Sequence, residues 1–183
     1  CSFEHVGQAV RVDQLNGNLC RCTGYRPIRD AMTRANTQRT DDKFRLRLTQ
    51  PLSPPPSLEH AVGGERFVRP TSLAELLRIK KEHPESVLIA GATEIGVDIN
   101  KKERVFPFLV STEAVPDLRR IETKTDGWHI GGASTLTDLE EALGGSIPAI
   151  DKMLWAFASR QIRNRATLAG NLEGIAQKSR EVS

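Results

Sequence analysis

The chain has 183 residues, of which 38% are hydrophobic, 27% charged and 5% aromatic, and its formal net charge is +3. That length suits one domain or two small ones at about 150 residues per domain, and the composition excludes a disordered, collagenous or disulfide-scaffold chain. No apolar run approaches the ~20 residues of a membrane span, and no basic segment leading into an apolar stretch opens the sequence, so no membrane partner and a cytoplasmic location are the expectation.

The charge is unevenly spread. Through Gln50, nine Lys and Arg oppose five acids, giving +4 and leaving −1 for the rest. All three cysteines, Cys1, Cys20 and Cys22, lie in this basic stretch. Without a signal peptide, three thiols favour free or metal-bound sulfur over a disulfide framework. Cys1 at position one, and an end just beyond the region richest in glycine and arginine, suggest a fragment. Pro27 suits a first helical position, and Ile28, Ala31, Met32 and Ala35 follow at helical spacing, which predicts a short helix over 26–35. Residues 37–49 are polar and weakly patterned. The prolines at 51, 54, 55 and 56 remove backbone donors and fix φ, so this passage reads as a linker. The expected organisation is residues 1–50, a linker over 51–64, and a second domain over 65–183.

Beyond the linker, helices alternate with strands. Ser72 and Glu75 have capping-box spacing ahead of Leu73, Leu76 and Leu77, and Pro84 stops that helix at about His83. Val87-Leu88-Ile89-Ala90 reads as a buried strand feeding Gly91, Phe108-Leu109-Val110 as a second, and Trp128-His129-Ile130 as a third, opened by the turn Thr125-Asp126-Gly127. Thr137 and Glu140 repeat the capping spacing before Leu139 and Leu143, with Gly144-Gly145 as a stop. Pro148 opens a helix whose Ile150, Met153, Leu154 and Phe157 fall at i, i+3, i+4 and i+7. The fold class is α+β.

Three strings carry candidate chemistry. In Gly17-Asn18-Leu19-Cys20-Arg21-Cys22-Thr23-Gly24-Tyr25-Arg26-Pro27, two cysteines one residue apart can place both thiolates on one metal, favoured by Arg21 and Arg26; the alternative is two incidental cysteines. In Leu88-Ile89-Ala90-Gly91-Ala92-Thr93-Glu94-Ile95-Gly96, a strand runs into small residues whose successive amides can cradle a pyrophosphate; the alternative is a structural turn. The glycine spacing is not the Rossmann fingerprint. In the third string, 159–171, Arg160, Arg163 and Arg165 precede Thr167-Leu168-Ala169-Gly170-Asn171, which can hold an anion or a polar ring edge. A nucleic-acid patch or a solvated face is the alternative. The absence of interleaved aromatics counts against nucleic acid.

The first string closely resembles the second [2Fe-2S] motif of the molybdenum hydroxylases, the xanthine dehydrogenase and aldehyde oxidase family. Phe67-Val68-Arg69-Pro70, the 90–96 turn and the 160–171 run resemble, in the same order, that family's flavin domain, which has the p-cresol methylhydroxylase type of FAD fold. The likeness is to a small, iron–sulfur and FAD subunit. It implies Cys20 and Cys22 as cluster ligands. The family's upstream C-x-x-C pair is represented here only by Cys1, so three cysteines stand where a [2Fe-2S] cluster wants four ligands. His5 is a conceivable fourth, although a histidine beside a terminus is more often solvated.

The resemblance further implies that Ile89, Ala90, Gly91, Ala92, Thr93, Glu94 and Ile95 hold the FAD diphosphate. It places Thr167, Gly170 and Asn171 on the flavin and Leu109 beside the cofactor. After Gly-Asn the family continues with Ser-Pro and Gly-Asp, whereas this chain reads Leu172-Glu173-Gly174-Ile175, as a truncated or frameshifted product would. The expected function is an oxidoreductase subunit or fragment that passes electrons from a [2Fe-2S] cluster to FAD. Its expected partners are a molybdenum-cofactor-binding large subunit and NAD, and its activity would depend on the missing domains. No catalytic acid or base is assigned, because the flavin performs the redox step. The rival expectation is a non-catalytic remnant or interaction module without bound cofactor.

Overall fold

The computed structural model describes residues 15, 21–34, 43–51 and 53–181. Contacts divide the chain into one unit of Cys1–Ser53 with Ala158–Gln161 and a second of Pro54–Phe157 with Ile162–Ser183.

In the first unit, helix α1 (Tyr25–Arg34) follows the turn at residues 21–24. It starts one residue before the expected position, because the Gly24 carbonyl accepts the Ile28 amide at 2.9 Å. Pro27 thereby falls in the first turn, where a missing amide costs nothing. None of its residues is buried. A second helix, α2 (Lys43–Thr49), occupies part of the stretch whose polar pattern gave no helical signal.

The second unit begins where a linker was expected. Residues 53–57 belong to no helix or strand, but β1 (Leu58–Val62) is a strand, antiparallel to β2 (Glu65–Arg69). Gly63 and Gly64, both with positive φ, form the two-residue turn between them, a backbone twist that suits a tight hairpin. All five residues of β1 are exposed, which hid it from a search for apolar runs. Helix α3 (Leu73–Glu82) starts as expected, with the Ser72 hydroxyl accepting the Glu75 amide at 3.2 Å. Then come β3 (Val87–Ile89), α4 (Ile95–Lys102) and β4 (Phe108–Ser111).

The sheet order is β1-β2-β4-β3, and β2, β3 and β4 are mutually parallel across β4. Phe108-Leu109-Val110 is a buried strand, as the sequence predicts, and the structure puts it between β2 and β3: Val110 is fully buried with Val68, Ile79 and Phe108. Val87-Leu88-Ile89 differs from expectation because β3 is an edge strand, and Leu88 is exposed.

Pro116–Arg119 is a 3₁₀ turn, followed by β5 (Ile121–Lys124) and β6 (Gly127–Ile130). These two strands form a separate antiparallel hairpin, so Trp128 is exposed and the expected third buried strand is instead a surface ribbon. Helix α5 (Leu136–Leu143) is capped two residues earlier than Thr137. The Thr135 hydroxyl accepts the Asp138 amide, and the Asp138 carboxylate accepts the Thr135 amide, each at 3.0 Å. The earlier start puts Leu136, Leu139 and Leu143 on one buried face against Leu154 and Ala166. Thr137 is buried, its hydroxyl donating to Asn164 Oδ1 at 2.7 Å.

Helix α6 (Pro148–Ala156) opens at Pro148 as expected; of its predicted apolar face Leu154 is buried, while Met153 is half exposed. The single turn α7 (Arg160–Arg163) and helix α8 (Leu168–Glu181) complete the described chain. Among the described residues, no helix is long and apolar enough to cross a membrane.

Candidate functional site

Parallel β3 and β4 end side by side, and the carboxyl ends of parallel strands are where an open sheet offers a crevice. The Thr112 amide donates to the Ile89 carbonyl at 2.9 Å, holding the two strand exits together. From Ile89 the chain passes through Ala90, Gly91, Ala92 and Thr93 to Glu94, the residue preceding α4. Ala92 takes φ +61°, a left-handed conformation unusual for a residue with a side chain. Its carbonyl accepts the Gly96 amide at 2.9 Å. Among the described residues, the amides of Gly91, Ala92 and Thr93 donate to no protein acceptor. These partly exposed amides stand free of the protein's own acceptors, and successive free amides in a turn form a concavity that suits an anion.

The second string is brought directly onto the first. A Cβ on Gly91 would stand 1.6 Å from the Arg165 carbonyl oxygen, so only glycine lets the 162–167 loop reach the turn. That loop is in turn sewn to the start of α5. Thr135 and Thr167 form an isolated antiparallel bridge, with Leu136 N to Ala166 O at 2.9 Å and Leu168 N to Ser134 O at 3.1 Å. Arg163 anchors it from below: its side chain is 1% exposed, Nη1 donates to the Phe157 carbonyl at 2.9 Å, and Nε lies 3.5 Å from Glu140 Oε2.

The result is a small cleft of about 70 Å³, open to solvent, with Gly91, Thr112, Glu113, Arg119, Thr135 and Thr167 on its walls. Ala90, Ala133, Asn164 and Arg165 complete its lining. Its volume is well below the roughly 300–1,000 Å³ of whole ligand pockets, room for one polar group of a ligand. Thr135 and Thr167 both accept backbone amides through their hydroxyl oxygens, from Asp138 at 3.0 Å and Gly170 at 3.3 Å. Each hydroxyl therefore retains its proton for donation. Unmatched amides, two hydroxyls and the Arg119 and Arg165 guanidiniums give a surface that donates far more than it accepts, which fits an anionic, phosphorylated group.

The expected contact residues divide. Ala90, Gly91 and Thr167 line the cleft together, and Ala92 and Thr93 supply turn amides beside it. Ile95 is the first residue of α4. Glu94 directs its carboxylate toward α8, since a Cβ on Gly174 would be 2.5 Å from Glu94 Oε2. Asn171 is turned inward, its Nδ2 donating to the Thr167 carbonyl at 2.8 Å, and Gly170 serves as the small residue above the Thr167 hydroxyl, 3.0 Å from where its Cβ would be. Leu109 sits mid-strand, paired with Phe67 and Val87, and is not among the cleft residues. Thr112, Glu113, Arg119, Ala133 and Thr135 line the cleft without having been singled out from the sequence. Of these, Thr135 had a readable signal, its T-x-x-D spacing to Asp138.

Cys22 is exposed, and the Thr23 hydroxyl donates to its carbonyl at 2.7 Å. Cys1, His5 and Cys20 lie outside the described residues. Among those described, no group of three or more His, Cys, Asp or Glu side chains is placed to hold a metal.

Residues 61–181 match the family described as FAD binding domain in molybdopterin dehydrogenase, and the chain belongs to that family. A xanthine dehydrogenase of Drosophila pseudoobscura pseudoobscura is 32% identical over 210 aligned residues, covering 85% of this chain and 16% of that protein. Aldehyde oxidase 2 of Cavia porcellus is 28% identical, with 90% of this chain and 17% of that protein covered. The chain thus spans about a sixth of the length of these relatives.

Among solved structures, a Cu,Mo-CO dehydrogenase in its cyanide-inactivated form aligns with a TM-score of 0.52 at 26% identity, covering 57% of this chain and 38% of that one. Quinoline 2-oxidoreductase from Pseudomonas putida 86 shares the fold, with a TM-score of 0.52 at 24% identity over 56% of this chain and 36% of that one.

Proposed function

We propose that this chain binds FAD, with the cofactor's diphosphate on the amides of Gly91, Ala92 and Thr93 and its neighbouring polar groups on Thr135 and Thr167. The observation that carries this reading is the set of unmatched amides at the end of β3, on the cleft shared with Thr167. Bound FAD would supply two-electron redox chemistry that no side chain provides. The chain's own share is to position: Gly91 admits the 162–167 loop, and the Thr135–Thr167 bridge fixes two hydroxyl donors. Gly170 and Asn171 hold the Thr167 turn in shape.

In this reading the chain is the FAD-binding, electron-transfer part of a xanthine dehydrogenase-like oxidoreductase in the cytoplasm. It would work beside a molybdenum-cofactor-binding subunit, with NAD as an acceptor. Cys20 and Cys22, with Cys1 as a third, would contribute to a [2Fe-2S] site.

Reconstitution of the purified chain with FAD, and separately with iron and sulfide, tests both cofactors by visible absorption. Retained flavin bands are the expected result; their absence after reconstitution would leave the family fold without its cofactor. Cluster bands that disappear in Cys22→Ser would support the iron–sulfur assignment, and no bands would remove it. The second reading, an interaction module without cofactor, draws on the exposed apolar residues Trp155, Leu172, Val97 and Met153. Copurification of a protein partner with a flavin-free chain would favour it.

A further inference from the structure

The cleft is flanked by an ion pair across its mouth. Arg165 Nη1 donates to Glu113 Oε1 at 3.2 Å, joining the loop after β4 to the loop before Thr167 across 52 positions of sequence. We infer that this pair is a charge gate: Arg165 is a phosphate-binding residue held in reserve by Glu113, and an entering diphosphate takes the guanidinium from the carboxylate. This rests on the proposed FAD reading and deepens it. It makes the cleft selective for phosphorylated flavin or adenine nucleotides over their unphosphorylated counterparts.

The geometry distinguishes Arg165 from its neighbours. Its backbone is fixed, because its carbonyl is wedged against Gly91 and its amide donates to Ile162 O at 3.0 Å. Its side chain is about half exposed and makes one contact with Glu113 rather than a two-pronged one, and an exposed pair of that kind is weak. A phosphate offers the guanidinium a bidentate, more strongly charged acceptor. Arg119, the other guanidinium on the cleft, lies 3.7 Å from Asp138. Asp138 is committed to the capping box of α5, so that arginine's partner is part of the scaffold.

Glu113 is the one carboxylate lining the cleft among the described residues. Unmasked, it would repel an anion approaching the Gly91, Ala92 and Thr93 amides, and paired with Arg165 it is neutralised until the anion arrives.

The test uses the full chain, titrated with FAD, riboflavin and inorganic pyrophosphate and followed by flavin fluorescence and by competition. Arg165→Gln is expected to weaken FAD binding about tenfold, as loss of a charge-assisted contact to phosphate does. Glu113→Gln is expected to tighten it about threefold by removing the competitor, with riboflavin affinity unmoved in both variants. Pyrophosphate should compete against FAD in the wild type and less well in Arg165→Gln.

Opposite signs for the two variants are the signature, since a purely structural pair would weaken FAD and riboflavin alike in both. Equal FAD affinity in Arg165→Gln, or weakening by Glu113→Gln, overturns the gate while leaving FAD binding standing. A wild-type chain that binds neither FAD nor pyrophosphate overturns both. If Arg165→Gln does not fold, the sign of the Glu113→Gln effect decides alone.

Discussion

The two walls of the cleft reach the same end by opposite means. On the sheet side, an edge strand stops and leaves the amides of Gly91, Ala92 and Thr93 without partners. On the helix side, backbone groups are tied to one another: Leu136 and Leu168 donate across the Thr135–Thr167 bridge, Ala169 donates to Gly132 O at 3.1 Å, and Thr135 caps α5. The sheet wall is therefore a donor surface whose satisfaction is deferred to a ligand, and the helix wall is a rigid frame that offers hydroxyl protons left over from its own capping. A cleft built this way asks its ligand to complete one wall and to disturb nothing in the other.

The sharpest way to break that arrangement is at the contact between the walls. Gly91→Ala places a Cβ 1.6 Å from the Arg165 carbonyl, so the 162–167 loop must leave the turn. Overpacking against backbone costs about 3 kcal/mol here, at the upper end for such changes, and FAD binding is expected to be lost with it. Gly96→Ala, one turn along, is the control: its Cβ meets nothing within 4 Å. It should stabilise α4 by about 0.5 kcal/mol. Thermal melting and flavin titration of the two variants should diverge in opposite directions; parallel behaviour would mean that the two walls do not meet at Gly91.

Next in size is the support beneath the helix wall. Arg163 is buried beside Glu140 and the Phe157 carbonyl. Arg163→Met strips the guanidinium from Glu140, and breaking a buried pair by removing one partner costs about 3 kcal/mol. Because Glu140 keeps some solvent access, Glu140→Gln should cost less than Arg163→Met in chemical denaturation. The reverse order would place the weight of the contact on the carboxylate.

These sites differ in how far the sequence reveals them. Val87-Leu88-Ile89 running into Gly91 is visible as an apolar run with a glycine stop, and the turn is where the run says it is. That β3 lies on the edge is invisible locally, because edge or centre depends on which strands arrive later: β4 takes the central place, and β1 and β2 fill the far side. β1 was hidden for another reason, since a strand with all five residues exposed has no apolar alternation to detect. In α5, Thr135 and Thr137 offer equally good caps by spacing. Burial decides between them, since only the earlier start buries Leu136 and frees the Thr137 hydroxyl to reach Asn164, 27 positions away. Arg163, Glu113 and Arg119 act through partners distant in sequence, and no local pattern encodes such pairs.

The choice of cap gives a smaller prediction. Thr135→Ala removes the α5 cap at a cost of about 1 kcal/mol. It also removes one of the two cleft hydroxyls, so flavin affinity should fall along with stability. Thr137→Ala loses one buried hydrogen bond, to Asn164 Oδ1, again about 1 kcal/mol; it reaches the cleft only through the Asn164 side chain, so flavin affinity should fall less than in Thr135→Ala once folding is accounted for. Equal losses of flavin affinity in both variants would show the bridge acting only as a structural seam.

The smallest effect concerns an ion pair along the helix that starts in the turn. Asp98 on α4 has its carboxyl held below the usual carboxylate range, first by a hydrogen bond from Lys102, whose Nζ is 2.7 Å from Oδ1, and further by Arg104 at 3.3 Å. Its backbone also closes the helix, the Asp98 carbonyl accepting the amides of Glu103 and Arg104. A carboxylate whose folded-state pKa is depressed stabilises the fold above its unfolded-state pKa. That contribution is lost as pH falls through the folded-state value. Melting temperature against pH should therefore decline on the acid side of the ordinary carboxylate range, and Asp98→Asn should flatten that decline while lowering the plateau near neutrality. If the acid limb is unchanged in Asp98→Asn, the stability of α4 comes from its backbone closure alone, and the donor wall does not depend on the Asp98 charge.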